Sequence, residues 1–258
     1  MSVAMFLGGA SGIDASTSVG PPPSIRPGVT PPNSQAASGS RSIGEDEFPV
    51  ALGAFSTTLI GSVPARTTNV LLAVSALDGL VLAPGEVLSF NRAVGPRTTE
   101  RGYQTAPVIL HQMRGLQVGG GVCQVSSTLF VAGLLSGLGA VERHRHSSPV
   151  DYIPLGEDAT IAWGAKDLRL RNDLDQRVRL RVEIVGATLI ARFEGEEPLP
   201  DVYELETEER EIPGDPGAGF EPGREVEVYR RSRTAADREF LHRDRFPPYR
   251  SSETAGSR

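Results

Sequence analysis

A disulfide needs two cysteines, and this chain has one, Cys123, so no intrachain bridge braces the fold. A lone thiol fits the cytosol, and fits the outside only where it is buried, protected or used. The cysteine count therefore leaves the compartment open. Lysine is nearly missing: Lys166 is the single one among 26 basic residues. The chain also lacks a surplus of positive charge. Its net charge is -6, which argues against nucleic acid as the main partner, because phosphate binding needs a basic surface. No run approaches the roughly 20 apolar residues that span a bilayer. The short apolar stretch Val3 to Ala10 has no basic flank, which makes it a poor secretory signal. It reads as a remnant of an export signal or as an ordinary tail.

What is present is enough for a normal core in part of the chain: hydrophobic residues make up 39% and charged residues 22% of 258. Residues 1–50 are expected to be a disordered segment. From residue 11 to about 48 they are rich in Ser, Gly and Pro, with Pro21, Pro22 and Pro23 in a row, and such a stretch buries too little surface to offset its ordering entropy. The pattern then changes. Ala54 to Ile60 reads as a strand, and Thr67 to Leu77 as a helix with Val70, Val74 and Leu77 on one face. Val81-Leu82 and Val87 to Phe90 flank Pro84-Gly85 and read as a hairpin. Pro107 to His111 and Leu116 to Val118 are short strands.

Three glycines in a row, Gly119, Gly120 and Gly121, interrupt any regular element. A helix is expected from about Gln124 to Leu138, ended by Gly139, with Phe130, Val131, Leu134, Leu135 and Leu138 as its apolar stripe. Ser127 and Cys123 extend that stripe backwards. Cys123 should therefore point inward at the helix start, where core meets cleft. Val141 to Ser147 reads as a strand whose alternation sets Glu142, His144 and His146 on one face and Arg143 and Arg145 on the other. Further strands are expected at Ala159 to Trp163, with Trp163 in the core, and at Leu168 to Arg171, Val178 to Val185 and Thr188 to Glu194. This pattern predicts an α+β fold, an antiparallel sheet with a few packed helices and a central helix starting at Cys123. Beyond Gly195, residues 196 to 225 hold eleven acidic residues, and residues 230 to 250 carry seven arginines. Strands are expected at Val202 to Ile212 and Glu225 to Arg231. The two charge runs read mainly as solvated faces, with mutual pairing as the alternative.

The chemistry concentrates at Gly119 to Thr128. A helix N-terminus behind the glycines aims free N–H groups and a positive dipole end at Cys123, which favours the nucleophilic thiolate. The same N–H groups of Gly119, Gly120 and Gly121, with Gln124 and Ser126, could hold an oxyanion or a substrate. A nucleophile also needs a base and an orienting group. His146, in preference to His144, supplies the base, and Asp158, or else Asp151, the orienter. The order of cysteine on a helix, then histidine, then carboxylate matches the layout of papain-like and transglutaminase-like enzymes, as a likeness of geometry only. Two other readings stay open. Cys123 is a small packing residue in a wall-binding module, or Cys123, His144 and His146 hold a metal. No motif calls for a cofactor. His111 and His242 lack evident partners.

At these residues the chain resembles the VanW family. The pieces are 52–58 (Leu-Gly-Ala-Phe-Ser-Thr-Thr), 84–91 (Pro-Gly-Glu-Val-Leu-Ser-Phe-Asn), 94–98 (Val-Gly-Pro-Arg-Thr), Arg101-Gly102-Tyr103, 119–128, 142–147 and 158–161. Two features depart from the family. Arg145 stands where relatives commonly have proline between the two histidines, and residues 200 to 250 resemble only a shortened form of the G5-type module that often follows. The resemblance implies a domain over 51–196, with 197–258 as a short beta-rich extension and tail. It further implies an envelope-associated, extracytoplasmic protein whose partner is peptidoglycan or a cell-wall peptide. It brings no settled activity and leaves oligomeric state open. It adds weight to Cys123, Gln124, His144, His146 and Asp158 as site residues.

Overall fold

The computed structural model describes residues 47–110, 113–234 and 237–250. These lie in one unit, Ile43–Arg258, while a second, Met1–Ser42, falls wholly outside the described residues, as do the expectations for an export remnant and a disordered start, and His111.

In chain order the elements are β1 (Val50–Thr58), α1 (Pro64–Leu77), β2 (Val81–Leu82), β3 (Val87–Ser89), α2 (Phe90–Val94), β4 (Thr105–Leu110) and β5 (Met113–Val118). Then come α3 (Val122–Leu135), β6 (Gly139–Glu142), β7 (Arg169–Arg171), β8 (Val178–Val185) and β9 (Thr188–Gly195). The C-terminal part holds β10 (Tyr203–Ile212), β11 (Phe220–Glu221), β12 (Gly223–Ser232), β13 (Arg238–Phe246) and β14 (Tyr249–Arg250). The architecture is a mixed one of antiparallel sheets and few helices. Among the described residues the sheets run β1-β9-β8-β2, β3-β7-β6, β10-β12-β13, and the pairs β4-β5 and β11-β14. No helix among them is long and apolar enough to cross a membrane.

The helix α3 is the centre of the core. Its sequence is apolar or small all round, so it is stable only when enclosed. It packs on β1 and β9, on α1, on β6 and on β10. Leu129, Phe130 and Leu134 are fully buried with Phe90, Leu170 and Phe193 from the surrounding elements. Its buried hydroxyls are all bonded, as burial requires: Thr128 meets Thr57 at 2.9 Å, and Ser126 Oγ donates to the Ala159 carbonyl at 2.6 Å. The helix ends earlier than Gly139. Gly137, at φ 80°, turns the chain, and the Leu138 N–H reaches back to the Gly133 carbonyl at 3.0 Å, a six-to-one closing bond.

Several expectations change. The residues around Pro84-Gly85 do not form a hairpin: β2 pairs with β8 and β3 with β7, so the chain crosses there from one sheet to another. The strand expected to run to Ser147 stops at Glu142, because Arg143 turns inward to buried carboxylates and leaves no ladder to continue. Residues 159–163 form only a bridge, Ala162 to Lys166. Trp163 is not core; it is 54% exposed. The strand β13, charge-rich and without an apolar alternation, was not expected; pairing with β12 buries Asp244 and Phe246 on its inner face. The acidic and arginine runs meet across β10, β12 and β13, with Arg231 to Glu206 at 2.8 Å, Arg238 to Glu208 at 2.6 Å and Arg238 to Glu206 at 3.5 Å. Pairing, not separate solvated faces, describes them.

Candidate active site

The glycine loop is shaped by what packs on it. Gly121 has φ 104° and Gly119 φ 85°, values that an L side chain rarely adopts. A Cβ on Gly120 would lie 2.6 Å from the Ala106 carbonyl oxygen, inside contact distance. Buried Asn69 on α1 locks the loop in place. Its Nδ2 donates to the carbonyls of Gln104 at 2.8 Å and Gly120 at 2.9 Å, and its Oδ1 accepts from the Gln104 N–H at 2.7 Å. The close approach that the glycines permit is made by the protein's own backbone. The loop delivers Cys123 to the first turn of α3, half-buried. Its Sγ lies 3.5 Å from Thr160 Oγ1 and 3.7 Å from the Ile161 carbonyl.

Across from the sulfur stands His146. Its Nδ1 is 2.5 Å from Asp158 Oδ2, and its backbone N–H donates to the same oxygen at 2.6 Å. The ring therefore has one nitrogen on the carboxylate and the other free for the sulfur. Asp158 is held in turn by Arg143, whose Nη2 reaches Oδ1 at 2.9 Å and whose Nε donates to the Asp158 carbonyl at 2.7 Å. Arg143 Nη1 bonds Asp244 on β13 at 2.7 Å. Arg143, Asp158 and Asp244 are nearly sealed from water, with side chains 8%, 6% and 8% exposed. Tyr152 meets the His146 ring edge-on, centroids 6.5 Å apart.

This geometry sets the charges. Burial pushes the Cys123 thiol up, but the hydrogen bond and charge of His146, with the Ile161 backbone and Thr160, outweigh it and bring the group down to about 7. Burial pushes His146 down, but its bond to Asp158 and its contact with Cys123 raise it to about 9. Asp158 is pushed up by burial and held below the usual carboxylate range by His146 and Arg143. Between about 7 and 9 the sulfur and the ring form a thiolate–imidazolium pair; the two values belong to the coupled pair.

Of the residues picked out from sequence, Cys123, His146 and Asp158 come together. His144 does not join them through its ring, which bonds Glu142 at 3.0 Å, although its carbonyl accepts from the Thr160 N–H at 2.7 Å. The Gln124 amide is already occupied: Nε2 donates to Thr57 Oγ1 at 3.0 Å and the Thr58 carbonyl at 2.8 Å, and Oε1 accepts from Arg66 at 2.7 Å. Ser126 is buried on the Ala159 carbonyl, away from any cleft. Among the described residues no group of three or more His, Cys, Asp or Glu is arranged to hold a metal ion. Asp151 is exposed. His242 does have partners: Nε2 donates to the Gly156 carbonyl at 2.8 Å and the ring lies 5.9 Å from Phe130. Sequence reasoning missed Arg143, Thr160, Tyr152 and Asp244. The alternation of a strand that does not form had put Arg143 on the face opposite His146.

A family model described as VanW like protein matches residues 65–193, half of the chain. The chain belongs to the VanW-like family. Cys123, His144, His146 and Asp158 lie inside the matched stretch, whereas Asp244 lies beyond it. A Bacillus subtilis (strain 168) protein named uncharacterized protein YoaR is 42% identical over 139 residues, covering 54% of this chain and 46% of that protein. The vancomycin B-type resistance protein VanW of Enterococcus faecalis (strain ATCC 700802 / V583) is 29% identical over 145 residues, covering 54% of this chain and 53% of its own length. The chain thus spans about half the length of these curated relatives. No solved structure matches it.

Proposed function

We propose that the VanW-like domain is a cysteine-dependent hydrolase or acyltransferase acting on a peptide amide of the cell wall. The observation that carries this reading is the placement of Cys123 beside the His146 ring, whose Nδ1 is bonded to the Asp158 carboxylate at 2.5 Å. The chemistry follows from the charge states. The thiolate adds to the amide carbonyl carbon and forms an S–C bond. The oxygen that gains the electron pair faces the start of α3, where the Cys123 N–H has no acceptor among the described residues. As the C–N bond breaks, the His146 imidazolium gives its proton to the departing amine. Water or a second amine then attacks the thioester, His146 takes that nucleophile's proton, and the S–C bond breaks to restore the thiolate. Asp158 keeps the Nδ1 proton in place and balances the imidazolium. Gln124 and Ser126, fixed elsewhere by hydrogen bonds, serve to hold the loop and helix.

Membership of the VanW-like family, with an Enterococcus relative named as a vancomycin B-type resistance protein, supports a cell-envelope setting; the peptidoglycan partner is part of the proposal. The papain-like or transglutaminase-like likeness extends to the order of cysteine, histidine and carboxylate. Replacing Cys123 by Ala in the host is expected to reproduce the wall composition of a deletion strain while the folded protein accumulates normally. A Cys123→Ala strain with wild-type wall composition ends the enzymatic reading and leaves a wall-binding module.

A further inference from the structure

Two arginines flank the glycine loop. Arg66 packs on Gly121 and bonds Gln124, while Arg97 packs its Cβ on Gly119. Arg97 is half-buried, and its guanidinium lies 5.9 Å from the ring centre of Trp163. Trp163 follows Ile161 by two residues, and the Ile161 carbonyl touches the sulfur. The sulfur and the Arg97 guanidinium are therefore held between the same two segments, the glycine loop and residues 160–163. Their charges interact: burial lowers the Arg97 pKa, and the Cys123 thiolate pulls against that.

Arg97 is held in a defined direction. Its Nη1 donates to Asn91 Oδ1 at 2.7 Å and the Gly95 carbonyl at 3.0 Å. Asn91 is itself oriented through Nδ2 on the Lys166 carbonyl at 2.8 Å. Among the described residues nothing accepts from Arg97 Nε or Nη2, and no carboxylate stands within 4.0 Å of Arg97 or Arg66, unlike the many arginines of this chain that pair. A chain of net charge -6 thus keeps two guanidinium groups without a contacting carboxylate near its nucleophile; Asp167, which accepts from the Asn91 N–H at 2.8 Å, acts on Arg97 only from further off. An arginine presents two parallel N–H donors to a planar carboxylate, and an exposed indole beside it covers apolar atoms.

We propose that Arg97, with Arg66 behind the loop and Trp163 at the rim, forms a carboxylate-binding subsite, so that the substrate is a peptide with a free carboxylate close to the attacked carbonyl. This rests on the reading of Cys123 as a reactive thiolate. It names which wall-peptide chemistry that thiolate accepts: an end of a peptide, or an acidic residue, rather than the interior of a neutral one.

The test compares two alkylating reagents of nearly equal size, iodoacetate and iodoacetamide, on the intact protein. Cys123 is the chain's one cysteine, so thiol labelling followed by mass spectrometry reports on it alone. The ratio of the iodoacetate rate to the iodoacetamide rate is expected to exceed that of a free cysteine peptide by about tenfold or more. Arg97→Gln should cut the ratio severalfold toward the peptide's value while iodoacetamide still labels, Arg66 and the His146 imidazolium keeping the remainder, and Arg97→Lys should retain more of the preference. Thermal melts check that each variant folds. A wild-type ratio equal to the peptide's, or one unmoved by Arg97→Gln, overturns the subsite and leaves the thiolate reading intact. Labelling by neither reagent overturns both.

Discussion

Each side chain at the site carries a charge set by its neighbours, and one adjacent acid shows the sign of the effect most simply. Glu157 is buried, and desolvation alone raises its carboxyl from 4.5 to about 7. The folded state therefore holds a proton that the unfolded state has lost between those two values, and stability falls as pH rises through that window. Glu157→Gln removes the dependence. The variant is expected to match the wild type near pH 4 and to exceed it at pH 8 by up to about 3 kcal/mol, measured by denaturant unfolding. An unchanged difference at both pH values contradicts the buried, unpaired carboxyl. Cys123, the next residue of interest, was legible in sequence because three consecutive glycines directly before a helix mark a loop of tight backbone approach. His146 and Asp158 were legible as residue types. Chain order offers their pairing, with His144 and Asp151 as alternatives, and the choice among these depends on irregular backbone at 143–146 and 156–160, which no period describes.

At the scale of elements, regular patterns were read well where packing and propensity agree. The strand β8 and the body of β9 follow their apolar alternation and α1 its helical period, while α3, buried at nearly every position, shows as an apolar run bounded by glycines. Elements failed where a charged side chain points inward. Arg143 ends β6 by reaching Asp158 and Asp244, and β13 buries Asp244 where an apolar residue would have announced a strand. That strand bears on the site. Arg143 is shared between Asp158 and Asp244, so a neutral residue at 244 leaves its charge acting on Asp158 and His146 alone. Asp244→Asn is expected to lower the His146 pKa from about 9, followed by NMR titration of the ring, and to cost about 1–3 kcal/mol in stability. A loss of stability with an unmoved His146 titration would make Asp244 structural only. Cys123, Tyr152, Asp158 and Arg143 are the other groups whose charge or polarity bears on that ring.

Taken whole, the described chain from Glu47 to Arg250 joins a VanW-like domain to a C-terminal set of strands that lean on it. Arg230 on β12 donates to the Leu138 carbonyl at 2.9 Å just past the end of α3, and Asp244 backs the site from behind. The strands contribute a small core of their own, Val226, Val228 and Phe246, and many exposed ion pairs. Those pairs individually add little, so the attachment depends on the buried contacts. The family match ends at residue 193, but the hydrogen bonds that fix Asp158 continue past it. Sulfur, ring and carboxylate working as one unit is the claim on which the rest stands. It is tested most directly by the pH dependence of iodoacetamide labelling at Cys123, in the wild type and in His146→Gln. The wild-type rate should rise with a midpoint near 7, and the variant's midpoint should move up to the free-thiol range of about 8.5 or higher. A wild-type midpoint already in that range, or one that His146→Gln leaves in place, contradicts the account.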